Sequence, residues 1–357
     1  MIKTEKLYSL EDISIIPAVS SDIRSRKECC PFTESIEGAE NYYPIIAAPM
    51  DSVVDEFCYQ EFWESRLSCV LPRTVPLVTR LIMCERVFCA FGFKEIEEEL
   101  LGKTFDHHEN LYVLIDVANG HMDYQLELGQ RLREKYGSKL KLMGGNIANP
   151  ETIKLYDRAD FDYVRCGVGG GRGCLTAVQT SIHYPMASLL EDTVSARDWI
   201  NGKVKIIADG GIRTYSDAIK CLALGADYVM MGYTLSKSLE ASGDLYDSGG
   251  KKISRETAKD HFKKGNQVYK EYHGMSTKVA QAKILGVSLE ENRRQLKTSE
   301  GRSEMAKVEY TLSGWTENLG SYLRSTMSYT GSRTLGELKK NAVCQIISDS
   351  TREKLNR

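Results

Sequence analysis

The chain has 357 residues, 42% of them hydrophobic and 27% charged, with a formal net charge of −2. This is the composition of a soluble globular protein, and its balance excludes bulk electrostatic attraction to nucleic acid or to a membrane surface. No apolar run reaches the roughly 18 residues that span a bilayer, and Met1-Ile2-Lys3-Thr4-Glu5 opens no signal-peptide core. Ten cysteines, at 29, 30, 58, 69, 84, 89, 166, 174, 221 and 344, lie mostly in apolar segments and form no CxxC pair. Reduced thiols in a cytoplasmic protein are therefore expected, rather than a disulfide framework or a zinc site.

Residues 1–40 read as a lead-in, with 7–19 (LYSLEDISIIPAV) as a short hairpin or extended entry. From there short apolar runs alternate with longer amphipathic stretches. Strands are expected at Pro44–Ala48, Leu67–Leu71, Val87–Phe91, Tyr112–Val117, Leu140–Gly144, Tyr163–Gly167, Val204–Ala208 and Tyr228–Met231. Most show little polar alternation, as in parallel strands buried on both faces. Helices are expected near 53–65, 76–83, 94–101, 122–136, 150–158, 185–200 and 214–224. Asn149-Pro150-Glu151 is a helix start with proline in the first turn. Eight βα units over roughly 250 residues fit an α/β chain closed into a (β/α)8 TIM barrel. A doubly wound open sheet would need fewer strands.

Past the eighth strand the periodicity fades. Residues 241–271 are polar and read as a long loop, the start of an excursion over 241–310 that would serve as an active-site flap. It continues through Tyr272-His273-Gly274-Met275-Ser276 and a charged helical piece ending at 298–302. A helix over Gly314–Thr326, a turn at Tyr329-Thr330-Gly331 and a helix near 334–341 follow. The expectation is one barrel domain over 1–357, with no second domain inserted.

A barrel places its chemistry where strands run into loops, and polar and glycine residues cluster there. The first strand ends in Ala48-Pro49-Met50-Asp51, the fourth in Asp116-Val117-Ala118-Asn119-Gly120 and the fifth in Gly144-Gly145-Asn146. The seventh ends in Asp209-Gly210-Gly211 and the eighth in Gly232-Tyr233. The sixth ends in Gly167-Val168-Gly169-Gly170-Gly171-Arg172-Gly173-Cys174-Leu175-Thr176, with five glycines in seven residues. Such a run is neither helix nor regular sheet. It lets backbone approach a phosphate, an ion or a cofactor, and Cys174 at its end is a candidate nucleophile. A tight turn around a small buried cysteine is the other reading of the loop.

At this point the residues resemble the inosine monophosphate dehydrogenase / guanosine monophosphate reductase family. The resemblance runs over almost the whole chain: YSLEDISIIP, PIIAAPMDSV at 44–53, IDVANGH at 115–121, MGGNIANPET at 143–152 and the loop ending in Cys174. It continues in IADGGIRTYSDAIKCLALGADYVMMG at 207–232, YHGMS at 272–276, SEGR at 299–302 and LRSTMSYTG at 323–331. The dehydrogenases usually carry regulatory CBS modules after strand two, whereas here Arg73 runs directly into Thr74-Val75-Pro76. They also use an Arg-Tyr pair to activate water; the equivalent segment here has Arg293-Arg294-Gln295 and no such tyrosine. The resemblance is therefore closest to the reductase branch.

That branch implies NADPH-dependent reductive deamination of GMP to IMP and ammonia, with Cys174 attacking carbon 2 of the purine and Thr176 and Glu300 relaying protons. Taken alone, Thr176 is also a helix N-cap and Glu300 an ordinary surface acid. The resemblance further implies that Asp209 holds the ribose hydroxyls, that Gly210, Gly211 and Gly232 offer amides to the phosphate, and that Gly274, Met275 and Ser276 line the base. Arg73, Asp116, Val117, Ala118, Asn119 and Gly120 would lie on the cofactor side. So would Ser328, Tyr329, Thr330 and Gly331, contributed by a neighbouring subunit of a homotetramer. Carbonyls of Gly169, Gly171 and Cys174 would hold a monovalent cation (K⁺). The chain departs from the pattern at Arg172, usually serine, at Tyr233, usually glycine or serine, and at Leu175, usually threonine. The first two changes fall on the phosphate pocket, where Arg172 adds a bidentate anion ligand and Tyr233 fills space. Two other functions stay open from the sequence: oxidation of IMP with NAD, and a non-catalytic purine-nucleotide sensor. Scattered basic residues without aromatic interleaving give no nucleic-acid surface.

Overall fold

The structure is a computed structural model that describes residues 4–103, 108–275, 277–286, 301 and 303–355. The first strand, β1 (Ile13–Ile16), does not turn back on itself as a local hairpin. It pairs antiparallel with the last strand of the chain, Ile13 opposite Ile346 and Ile16 opposite Val343. The sequence gives no sign of this, because the partner lies at the far end of the chain.

The barrel follows in order: β2 (Ile45–Ala47), β3 (Ser68–Leu71), β4 (Phe88–Phe91), β5 (Leu111–Ile115), β6 (Leu140–Ile147), β7 (Tyr163–Cys166), β8 (Lys205–Asp209) and β9 (Tyr228–Met231). Each pairs in parallel with the next, and β9 closes on β2. Each strand splits its side chains between two cores. Ile46, Val70, Phe88, Leu114, Met143, Ile207 and Met230 fill the interior. Ile45, Ala47, Cys69, Phe91, Ile115, Val164, Ala208 and Val229 pack outward under the helices. Both faces are therefore apolar, which is why the strands read as unbroken hydrophobic runs. The helices also lie where periodicity places them, including Leu77–Met83, Asp123–Tyr136, Met186–Trp199 and Tyr215–Ala223.

The N-terminal end of the barrel is plugged. Residues 33–42 fold into a loop closed by a Thr33–Tyr42 bridge, and its Ile36 sits in the interior core. The hydroxyls of Tyr228, Ile36's neighbour Tyr163, and Tyr112 donate to the carbonyls of Glu34 (2.8 Å), Ile36 (3.2 Å) and Glu37 (3.0 Å). Three buried phenols are thereby satisfied at the end opposite the expected chemistry.

The stretch 241–271, read above as a polar loop, is structured instead. It carries β10 (Leu245–Asp247), β11 (Lys252–Ile253), a helix over Arg255–Lys263 and the start of β12 (Val268–His273). With β13 (Ser303–Lys307) these form a four-stranded antiparallel sheet of order β11-β10-β12-β13. Its core is small: Leu239, Leu245, Ala258, Val268 and Val308. The strand pattern is masked because the buried position at the centre of β12 is a lysine. Lys270 is 1% exposed, and its ammonium donates to the carbonyls of Ser238 (2.8 Å), Leu239 (3.2 Å) and Ala241.

A long helix over Leu312–Tyr329 extends the expected 314–326 at both ends, and a helix over Leu335–Asn341 follows. β14 (Val343–Ile346) and a helix over Asp349–Leu355 have no counterpart in the sequence reading. Both are largely exposed, and β14, though rich in apolar residues, is only four residues long. Among the described residues no helix is long and apolar enough to cross a membrane. All ten cysteines are free thiols, and burial pushes several well up, Cys58 to about 12.

Candidate active site

A cavity of about 590 Å³ opens at the C-terminal mouth of the barrel, bordered by Ala48, Arg73, Asp116, Asn146, Gly167 and Asp209 at the ends of β2, β3, β5, β6, β7 and β8. At its floor lies a charge the sequence reading passed over. Arg165 projects from the middle of β7, nearly fully buried, with one guanidinium nitrogen 2.9 Å from Asp116 and another 3.9 Å from Asp209. Asn146 donates to Asp209 (2.7 Å) and to the Gly167 carbonyl (2.9 Å). Burial pushes the Asp209 carboxyl up, against the pull of Arg165 and Asn146. An arginine inside a strand buried on both faces was itself a signal, because such a charge requires partners.

The glycine loop crosses this floor toward Cys174. Its two positive-φ glycines answer to close packing. A Cβ on Gly167 (φ 134°) would meet the Asp209 carbonyl oxygen at 2.0 Å, and one on Gly169 (φ 77°) would meet Ala177 at 2.5 Å. The Cys174 amide donates to the Gly171 carbonyl at 2.9 Å. The Cys174 Sγ, half-buried, stands 3.3 Å from the Thr176 hydroxyl. Thr176 is the first residue of a short helix, Thr176–Thr180.

The four-stranded sheet clasps this loop from two sides. Gly274, just past β12, packs on Gly173 so closely that a Cβ there would lie 2.3 Å from the Gly173 carbonyl oxygen. Gly301, just before β13, forms an antiparallel bridge with Cys174 itself. A second unexpected cluster ties the sheet to the loop after β2: Asp51 lies 2.7 Å from His273 and 2.6 Å from Lys283. Burial works to raise the Asp51 carboxyl, but the His273 ring and the Lys283 ammonium beside it hold it below the usual carboxylate range. Asp51 and His273 are far apart in sequence, and neither belongs to a motif that marks the other.

Of the expected site residues, the cavity gathers Cys174, Thr176, Asp209, Arg73, Asp116, Val117, Ala118, Gly169, Gly171, Gly274 and Met275. Ser276, Glu300, Arg293 and Arg294 lie outside the described residues. Asn119 and Gly120 do not border the cavity. The Asn119 side chain accepts from the His121 amide (3.0 Å), and the Gly120 amide donates to the Asn146 carbonyl (3.0 Å), so both build the turn beneath it. Gly210, Gly211, Gly232 and Tyr233 are also off the lining; the backbone of Gly170 lies against Gly210 and Gly211. Arg172 is at the rim, paired with Glu304 and lying over the Tyr233 ring. Ser328, Tyr329, Thr330 and Gly331 are remote from this cavity. Tyr329 and Thr330 border a second one with Ile16, Tyr215 and Tyr322 on the outer flank of the barrel. Among the described residues no group of three His, Cys, Asp or Glu side chains could hold a metal.

A family model described as IMP dehydrogenase / GMP reductase domain matches residues 86–355. A GMP reductase of Caenorhabditis elegans is 30% identical over 242 residues, covering 68% of this chain and 61% of that protein. GMP reductases of Clostridium acetobutylicum and Shouchella clausii are 26% and 27% identical over 346 residues, each covering 94% of both chains. With the barrel closed, the cysteine loop at its mouth and this match over most of its length, the chain belongs to the IMP dehydrogenase / GMP reductase family.

Proposed function

We propose that the chain reduces GMP to IMP and ammonia with NADPH. The observation that carries this reading is the Cys174 site: a half-buried thiol 3.3 Å from the Thr176 hydroxyl, with Gly301 bridged to it and Glu300 the preceding residue in the chain. Cys174 attacks carbon 2 of the purine, because a thiolate is both a strong nucleophile and a good leaving group. The 2-amino group leaves as ammonia, which requires a proton; Thr176 and Glu300 are assigned to deliver it. NADPH, when bound, supplies the hydride that replaces the lost nitrogen at carbon 2. The balance is GMP + NADPH + 2H⁺ → IMP + NADP⁺ + NH₄⁺. Release of the sulfur returns the free cysteine.

The lining fits an anionic cofactor. Arg73 borders the cavity with its Nε buried and without a hydrogen-bond partner, 3.5 Å from Glu95. Asp116, Val117 and Ala118 are assigned to the same side, and Asp209 and Met275 to the nucleoside. Ser328–Gly331 face away from their own chain's cavity, so their cofactor role is assigned across a subunit boundary in a homotetramer. The Gly169, Gly171 and Cys174 carbonyls are assigned to a monovalent cation; no step depends on it. A cytoplasmic location is part of the same reading.

The test is nicotinamide absorbance with purified protein. NADPH is expected to be oxidised with GMP, and Cys174→Ala is expected to abolish it. NADH formation from IMP and NAD, with no GMP-dependent oxidation, would overturn the proposed direction.

A further inference from the structure

Arg172 carries a carboxylate in the geometry of a phosphate. Its Nε lies 2.5 Å from one oxygen of Glu304 and its Nη2 3.1 Å from the other. This two-pronged contact is the one guanidinium makes with either anion. The guanidinium carbon sits 4.4 Å from the centre of the Tyr233 ring, which sets its plane. Tyr233 in turn meets Tyr272 edge-on at 5.0 Å, and Tyr272 is the cross-strand partner of Glu304 in the β12–β13 pair. The cluster is therefore built from three elements: the nucleophile loop, the short helix that Tyr233 opens after β9, and the sheet.

Its position is that of a barrel's phosphate site, at the loops after the seventh and eighth strands. Those loops are Asp209-Gly210-Gly211 and Gly232-Tyr233. The two glycines lie against the backbone of Gly170, and Arg172 brings a guanidinium over the ring of Tyr233 at this place. Gly171 and Gly173, on either side of it, border the cavity. The nearby cation, Lys237, is itself paired with Glu309 at 2.9 Å. The Arg172 and Glu304 side chains are 48% and 33% exposed, and a pair so open to water is weak enough to exchange.

We propose that Glu304 is an internal substitute for the substrate's phosphate. Its carboxylate holds Arg172 in the nucleotide-free protein, and the phosphate of the bound nucleotide replaces it. Glu304 thereby sets how much the phosphate adds to affinity. This inference rests on the nucleotide-reductase reading and extends it to a residue of the sheet.

Calorimetric titration of GMP and of guanosine tests it without requiring turnover. Glu304→Gln is expected to tighten GMP at least fivefold and to leave guanosine within twofold. Arg172→Ser is expected to weaken GMP at least fivefold, and in that background Glu304→Gln is expected to change GMP binding less than twofold. Unchanged or weaker GMP binding by E304Q overturns the inference, as does a gain that persists without Arg172. The expected binding pattern without any NADPH oxidation upholds the inference and fails the reductase reading alone. Binding of neither ligand overturns both.

Discussion

Arg165 holds the floor of the cavity together. It stands between Asp116 and Asp209, two carboxylates that the barrel brings to one place from β5 and β8. Removing one member of a buried charge cluster is costlier than never having built it, because the rest is left uncompensated. Arg165→Gln is therefore expected to lower stability by about 3 kcal/mol, measured by urea unfolding, with the loss easing at acid pH as the freed carboxylates take up protons. An unchanged midpoint would show that Asp209 is held by Asn146 alone. At the other side of the cavity, Thr176→Val removes the hydroxyl beside Cys174. It is expected to lower kcat for NADPH oxidation about 10²-fold, while alkylation of Cys174 by iodoacetamide continues. Loss of both would mean that Thr176 shapes the loop and has no part in proton transfer.

The four-stranded sheet depends on one buried side chain. Lys270 binds three carbonyls of residues 238–241, and burial lowers its ammonium to about 7. Lys270→Met leaves those carbonyls unpartnered, at a cost of about 2–4 kcal/mol. Because the sheet has its own small core, the loss should appear first as faster amide exchange in β10, β12 and β13, with the barrel strands unchanged. Uniform acceleration across the barrel would refute this local role. The same lysine explains what was legible in the sequence. The barrel strands were readable because both faces of each are apolar, and the cysteine loop because its glycines stand out. The sheet was not, because its central strand buries a charge where an apolar residue would mark the face. Arg165 was hidden within a strand run read as apolar, and the Asp51–His273–Lys283 cluster joins segments that only the fold brings together. The glycine loop and Cys174 border the cavity, whereas Gly210, Gly211 and Tyr233, expected beside them, do not.

At the scale of the whole molecule, the plug makes stability depend on pH. Glu37, in the plug, accepts from Ser68 at 3.3 Å, but its other carboxyl oxygen is buried and unpartnered. Burial raises the group to about 7. Between about 4.5 and 7 the folded chain therefore holds a proton that the unfolded chain has released. Stability from this group falls as pH rises through that window, by about 2 kcal/mol once partial exposure is allowed for. Glu37→Gln is expected to flatten this slope in urea midpoints taken between pH 5 and 8; an unchanged slope would show that the carboxyl is ionised in the fold.

The β1–β14 pair has a mechanical consequence. Its strands run antiparallel, with Ile13 at the start of one beside Ile346 at the end of the other. A force applied to both ends of the chain loads this ladder one hydrogen bond at a time, so it peels open from Ile13 and Ile346 toward Ile16 and Val343. Tyr8, ahead of β1, is also tied to Ser188 of the helix over Met186–Trp199, so the pull meets that contact and the terminal pair before the eight barrel strands behind them. The terminal pair thus acts as a mechanical fuse for the barrel that carries Cys174.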